Sequence, residues 1–196
     1  MKIGLTGSIA CGKSTVSTYL RELGCDIVDA DALSRALTAP GGRALPAIRE
    51  AFGSSVFDSD VLDRRQLGTL VFSNAAKRDQ LNALLHPLIL SEIDEQMNRL
   101  DGPGRIVVGD VPLLFECGMQ AWFDRIWVVS VPRRIQIERL TARDSLTPLE
   151  AERRIDAQLP LEDKIRQADA VIDNSGSVQD TRHQVDALLT TIRRLV

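Results

Sequence analysis

The stretch Lys2-Ile3-Gly4-Leu5-Thr6-Gly7-Ser8-Ile9-Ala10-Cys11-Gly12-Lys13-Ser14-Thr15 decides the fold. Its first five residues are an apolar run with little alternation, which suits a strand buried on both faces. Gly7 to Ser14 then fits G-x-x-x-x-G-K-[ST]. Glycines at 7 and 12 accept backbone angles that let successive N–H groups turn inward around an anion. A helix opening near Lys13 adds its positive N-terminal end. In such a loop the lysine reaches the β- and γ-phosphates and the hydroxyl of Ser14 can ligate Mg²⁺. Beyond it, Val16, Tyr19, Leu20 and Leu23 fall at i, i+3, i+4 and i+7, and Gly24 follows as a stop. Strand, loop and helix in this order predict a P-loop nucleotide-binding fold.

Outward from that stretch, four further apolar runs read as strands: 26–29, 105–110, 125–131 and 170–173. With the first, 2–6, they predict an α/β fold with a mostly parallel five-stranded sheet between helices. A last helix is marked by Val185, Leu188, Leu189, Ile192 and Val196. Two segments break the alternation. Residues 31–100 are too long for one crossover and carry helical patterns at Leu67, Leu70, Val71 and Phe72 and at Leu81, Leu84, Leu85, Leu88 and Ile89. Pro87 is expected to kink or break the second pattern. Residues 133–161 are dense in arginine. The expected division is a nucleotide core (1–30, 101–132 and 162–196), a helical acceptor subdomain (31–100) and a lid (133–161).

The bulk composition excludes several classes. The chain has 196 residues and a net charge of −3, so phosphate-driven nucleic-acid binding is disfavoured. Cys11, Cys25 and Cys117 lack metal or disulfide spacing and read as reduced thiols. No signal peptide and no membrane-length apolar run is visible, so a cytoplasmic location is expected.

A phosphate loop indicates a nucleotide and leaves the reaction open. Asp29-Ala30-Asp31 closes the second strand, where ligands of open α/β sheets sit. Asp31 fits a base that takes a proton from an attacking hydroxyl, and equally an N-cap for a helix at Ala32. Asp110 ends an apolar strand as a Walker B carboxylate holding Mg²⁺ would, and equally as a strand-end turn residue. Arg139 and Arg143 lie four apart on one helical face, suited to bidentate phosphate contacts in a mobile lid. The competing reading is a solvated helix paired with Glu138, Asp144, Glu150 and Glu152. His86 has the look of a structural histidine, and Trp122 and Trp127 of core residues or base-stacking ones.

In their order, several motifs resemble the dephospho-CoA kinase family over nearly the whole chain. After the loop come Val28-Asp29-Ala30-Asp31, Ala39-Pro40-Gly41-Gly42, Leu62-Asp63-Arg64, Val71-Phe72 and His86-Pro87-Leu88-Ile89. Val111-Pro112-Leu113-Leu114-Phe115-Glu116, Gln136-Ile137-Glu138-Arg139-Leu140, Arg143-Asp144, Gln158 and Asn174-Ser175-Gly176 complete the set. The resemblance implies a nucleoside-monophosphate-kinase-like fold and transfer of the ATP γ-phosphate to the ribose 3′-hydroxyl of dephospho-CoA. It implies Asp31, Lys13 and Arg139 as catalytic residues and Mg²⁺ as cofactor, on Ser14 and, directly or through water, Asp110. ATP contacts would come from Gly7, Ala10, Cys11, Gly12, Lys13, Ser14 and Thr15, with Arg139, Arg143 and Asn174. Acceptor contacts would come from Thr6, Asp31, His86, Pro112, Leu113, Leu114 and Glu116. Partners would be ATP and dephospho-CoA alone, with neither nucleic acid nor membrane, in a monomer or small homo-oligomer.

The loop departs from the family, whose members commonly carry Gly and Ser where this chain has Ala10 and Cys11. At a positive helix end Cys11 is expected to have a lowered pKa, so its oxidation or alkylation should inhibit. Two other readings remain at this level: a P-loop kinase of another small acceptor, and a GTPase-like switch or motor. The absence of an N-K-x-D guanine motif counts against a GTPase.

Overall fold

The computed structural model describes residues 1–195; Val196, expected at the end of the last apolar stripe, lies outside the described residues. The chain runs β1 (Lys2–Gly7), α1 (Lys13–Glu22), β2 (Asp26–Asp29), α2 (Ala30–Leu37), α3 (Leu45–Phe52), β3 (Phe57–Asp58), β4 (Val61–Leu62), α4 (Arg64–Ser73) and α5 (Ala75–Leu100). It continues as β5 (Val107–Asp110), β6 (Arg125–Ser130), α6 (Arg133–Asp144), α7 (Pro148–Asp156), α8 (Leu161–Arg166), β7 (Ala170–Asp173) and α9 (Val178–Ile192). It forms two compact units, Met1–Val28 with Met97–Val196, and Asp29–Gln96.

The sheet has five strands in the order β2-β5-β1-β6-β7. β1 pairs in parallel with β5 from Lys2↔Val107 to Leu5↔Asp110, and with β6 from Ile3↔Arg125 to Gly7↔Val129. β6 pairs in parallel with β7. β1 is thus central, and Ile3, Leu5, Val108, Val128 and Val129 are fully buried. Burying each of these side chains is worth about 1.5–3 kcal/mol. The chain crosses from one side of β1 to the other, so the loop after β1 emerges at the topological switch point of the sheet, where such folds bind ligands.

The expected limits hold for β2 and β7. β5 starts two residues later than expected, and the side chain of Arg105 before it turns to Asp26, its Nε and Nη2 donating to Oδ2 at 3.0 and 2.8 Å. β1 takes in Gly7 and β6 stops at Ser130. Gly24 follows α1 with φ +86°, the left-handed stop its position predicts.

The second unit has its own core of Leu37, Ala44, Ile48, Phe52, Val56, Leu62 and Leu67. Leu81, Leu84, Leu85, Leu88 and Ile89 of α5 pack on it only partly buried. Asp63 caps α4, accepting from the Gln66 N–H at 2.9 Å. The unit is not wholly helical as expected, since β3 and β4 form a short antiparallel hairpin. Nor does Pro87 break α5, which runs through it. The proline removes one bond to the Ala83 carbonyl. Ala83, His86 and Pro87 are all exposed, so water can satisfy that carbonyl. Among the described residues, no helix is long and apolar enough to cross a membrane.

Candidate active site

Steric constraints shape the loop first. A Cβ on Gly7 would stand 2.5 Å from Cys11 Sγ and 2.7 Å from the Val129 carbonyl oxygen. Gly12 has φ +83°, and a Cβ there would meet Asn174 Nδ2 at 2.0 Å. Only glycine serves at either place.

Side chains from distant segments then bind the loop's backbone. Asn174 Nδ2 donates to the Cys11 carbonyl at 2.8 Å, and its Oδ1 accepts from Thr181 Oγ1 at 2.9 Å. Arg139 donates through Nη2 to the Asn174 carbonyl at 2.9 Å and through Nη1 to that of Cys11 at 3.5 Å. Gln158 Oε1 accepts from the Ile9 N–H at 2.7 Å and from Ser8 Oγ at 3.1 Å. Gln136 Nε2 donates to the Ile9 carbonyl at 3.3 Å. These bonds hold loop groups that would otherwise compete for water, so the loop is built before any anion arrives.

Lys13 opens α1 and forms an ion pair with Asp110, whose carboxylate is buried at the end of β5. Of the two readings of Asp110, the geometry favours one that faces the phosphate loop. Ser14 is exposed and Thr15 half-buried in the first turn of α1. The hydroxyl of Ser14 and the carboxylate of Asp110 are hard oxygen donors. They fit Mg²⁺, which takes one or two protein oxygens and completes its shell with phosphates and water.

Asp31 lies exposed in the first turn of α2. It is not the cap; Asp29 is, accepting from the Ala32 N–H at 2.9 Å. His86 is exposed on α5. After β5, Pro112 is half-buried and Leu113 exposed, while Thr6 and Leu114 are fully buried. Thr6 donates to the Pro112 carbonyl at 3.1 Å, and Leu114 packs under Gly4. Both therefore shape the segment from beneath its surface. Arg139 and Arg143 lie four apart on α6, as expected, but Arg143 does not join Arg139 at the loop. It turns to Asp144, Nε to Oδ1 at 2.8 Å, and that bond holds its guanidinium more firmly protonated than usual.

A model of the dephospho-CoA kinase family matches residues 1–180. The chain belongs to the dephospho-CoA kinase family. Curated dephospho-CoA kinases from Carboxydothermus hydrogenoformans and Geobacillus kaustophilus are 47% and 44% identical to it. These matches cover 95% and 96% of this chain and 92% and 95% of the relatives. A crystal structure from Thermus thermophilus superposes with TM-score 0.80 at 34% identity, over 97% of each chain. The dephospho-CoA kinase from Campylobacter jejuni gives 0.72 at 27% identity, over 97% of this chain and 96% of that one. A shikimate kinase from Aquifex aeolicus, at 0.55 and 17% identity, shares the fold alone. The family carries out ATP-dependent phosphorylation of dephospho-CoA, the last step of coenzyme A biosynthesis, and this chain is one of its kinases.

The loop's two departures from the family have different physics. Ala10 sits at φ +62°, where a Cβ costs about 1–2 kcal/mol and glycine nothing. Cys11 overturns its expectation. It is only 1% exposed, packed beneath Gly7, and burial pushes its thiol pKa up, against the lowering pull of Lys13. A buried, protonated thiol is an inert core residue. Trp127 is core as well, whereas Trp122 is partly exposed.

Two supports escaped the sequence reading. Gln136 sits in a quoted motif, but nothing there signals its bond to Ile9. Lys164 of α8 is fully buried, yet lies in a stretch, Glu162-Asp163-Lys164, that reads as solvated. The available signal was spacing: Leu161, Lys164 and Ile165 fall at i, i+3 and i+4, on one helical face.

Proposed function

We propose that this chain transfers the γ-phosphoryl group of ATP in line to the ribose 3′-hydroxyl of dephospho-CoA, with no covalent enzyme intermediate. The observation that carries this reading is the pre-built loop with Lys13 against Asp110, a cation and an anion waiting where phosphates and their counter-ion belong. Family membership supplies the acceptor, and the exposed Leu113 suits the segment 112–116 to contact it.

Asp31 takes the proton of the 3′-hydroxyl as the oxygen attacks, a role its exposure at a helix start permits. Lys13 leaves Asp110 for the β- and γ-phosphates, and Arg139 offsets charge on the moving group. Ser14 and Asp110 would hold Mg²⁺, which supplies electrostatic neutralisation of the phosphate oxygens. Residues 133–161 act as the lid and exclude water, so that the hydroxyl rather than solvent is phosphorylated. Residues 31–100 carry the acceptor side, with His86. Three cysteines without disulfide spacing suit a cytoplasmic location, and the small-molecule reaction needs no more than a monomer or small homo-oligomer.

ADP release from ATP–Mg²⁺, with and without dephospho-CoA, tests the reading. Strong stimulation with coenzyme A as the 3′-phosphorylated product is expected. Protein that binds ATP yet shows no stimulation overturns it.

A further inference from the structure

The ammonium of Lys164 is the most deeply buried charge among the described residues, with a side chain 0% exposed. A buried charge is expensive, and an apolar side chain of the same volume is often as stabilising or more. Its partners tell what the charge is for. Nζ lies 2.7 Å from Glu116 Oε1, 3.4 Å from the Gly7 carbonyl oxygen and 3.5 Å from that of Pro112. Gly7 is the first residue of the phosphate loop. Pro112 and Glu116 bound the segment that follows β5, and Glu116 also accepts the Leu159 N–H at 3.1 Å. Leu159 stands at the end of the arginine-rich segment. One ammonium, directly or through Glu116, thus gathers three parts of the chain that are 43 or more residues from one another in sequence.

The contact with Gly7 has a specific effect. Across a trans peptide the C=O and N–H point oppositely. Holding the Gly7 oxygen on Lys164 therefore turns the Ser8 N–H away from the ammonium and fixes the first peptide of the loop. The contact with Pro112 joins that of Thr6 on the same carbonyl. The charge also reaches the loop through space, since Lys164 is among the groups that lower the Cys11 thiol against its burial.

We infer that Lys164, with Glu116, is a positioning pair that sets the phosphate loop and the acceptor-side segment 112–116 in register, so that one buried residue tunes the affinity for both substrates. This rests on the proposed roles of those two segments. It also reassigns Glu116, whose carboxylate is committed to Lys164 and Leu159 rather than open to an acceptor.

The test is steady-state kinetics of Lys164→Met, with each substrate varied in turn. KM for ATP and KM for dephospho-CoA should both rise by about 10-fold, with kcat changed less than about 3-fold. A residue that merely holds the fold would lower the active fraction, which reduces apparent kcat and leaves both KM values alone. Unchanged KM values overturn the inference, whatever kcat does. Should Lys164→Met fail to fold, Glu116→Gln gives the same readout, since it keeps an acceptor for Leu159 and removes the charge. It is expected to raise both KM values by about 3-fold, and unchanged values again overturn the inference. The parent protein is assayed alongside: failure of the parent to make coenzyme A sinks the proposed reaction, whereas an active parent with indifferent variants sinks the pairing alone.

Discussion

The phosphate loop and the unit Asp29–Gln96 are built on opposite plans. Around the loop, four polar side chains from α6, the chain after α7 and the end of β7 hold backbone groups one by one. In the helical unit, α5 packs five apolar side chains between Leu81 and Ile89 that are only partly buried, and Phe72 of α4 is 90% exposed. The first region is fixed by directional bonds that exist in one arrangement. The second is held by apolar surface that is incompletely covered and tolerates movement. The proposed roles call for both: a rigid donor site, since phosphoryl transfer is mostly positioning, and an acceptor side able to admit and release a large substrate.

The largest effect that would sharpen this contrast is at Lys13. Lys13→Ala should lower kcat by about 10³-fold or more without loss of fold, measured as ADP release in the presence of dephospho-CoA. Retained activity would deny the loop its role. Next, amide exchange should divide the molecule. N–H groups of β1 and β6 should be protected about 10²-fold or more beyond those of α4 and the first half of α5. Equal protection would break the comparison outright.

The two arginines come third. Arg139→Ala removes two bonds to the loop's surroundings and should cost about 10–100-fold in kcat/KM, whereas Arg143→Ala, already turned to Asp144, should cost less than about 5-fold. The reverse order would mean that Arg143 exchanges Asp144 for phosphate during turnover. Smallest is Phe72→Ser. With its side chain in solvent it should change stability by no more than about 0.5 kcal/mol in a denaturant titration, so a large loss would show that the exposed ring is covered. A chemical check runs beside these: iodoacetamide should leave Cys11 unmodified in the native protein and label it once the chain is unfolded in urea.

The same contrast explains what could be read in the sequence. β1, β5 and β6 were legible because a strand buried on both faces is written as an unbroken apolar run; the edge strands β2 and β7 are only partly buried, yet their short Ile and Val runs have the expected limits. The loop was legible because its glycines are required by sterics at fixed spacing. The hairpin of β3 and β4 was not, since two-residue strands are too short to show a period of two. The course of α5 through Pro87 was missed because the cost of a proline depends on whether the orphaned carbonyl meets water, which is a matter of exposure. Asp29 took the capping role because the helix begins at Ala30, two residues earlier than expected. Gln136 and Lys164 escaped because their bonds span 127 and 157 residues, and local pattern carries no trace of such pairings. Cys11 was misjudged for a related reason. The helix end that lowers a thiol's pKa is visible in sequence, and the burial that outweighs it is not.

Asn174 also bears on how the protein ages. An asparagine followed by a small residue, as in Asn174-Ser175, is prone in flexible chains to lose its side-chain ammonia when the next backbone nitrogen attacks its amide carbon. Here both ends of the carboxamide are engaged, and the Ser175 N–H is turned to Asp173 Oδ1 at 2.9 Å. The fold thereby withholds the nucleophile from the very amide on which the loop depends. Were that protection lost in a partly unfolded molecule, the resulting aspartate would place a negative charge against the Cys11 carbonyl, and refolding would return a protein whose phosphate loop repels what it is built to hold.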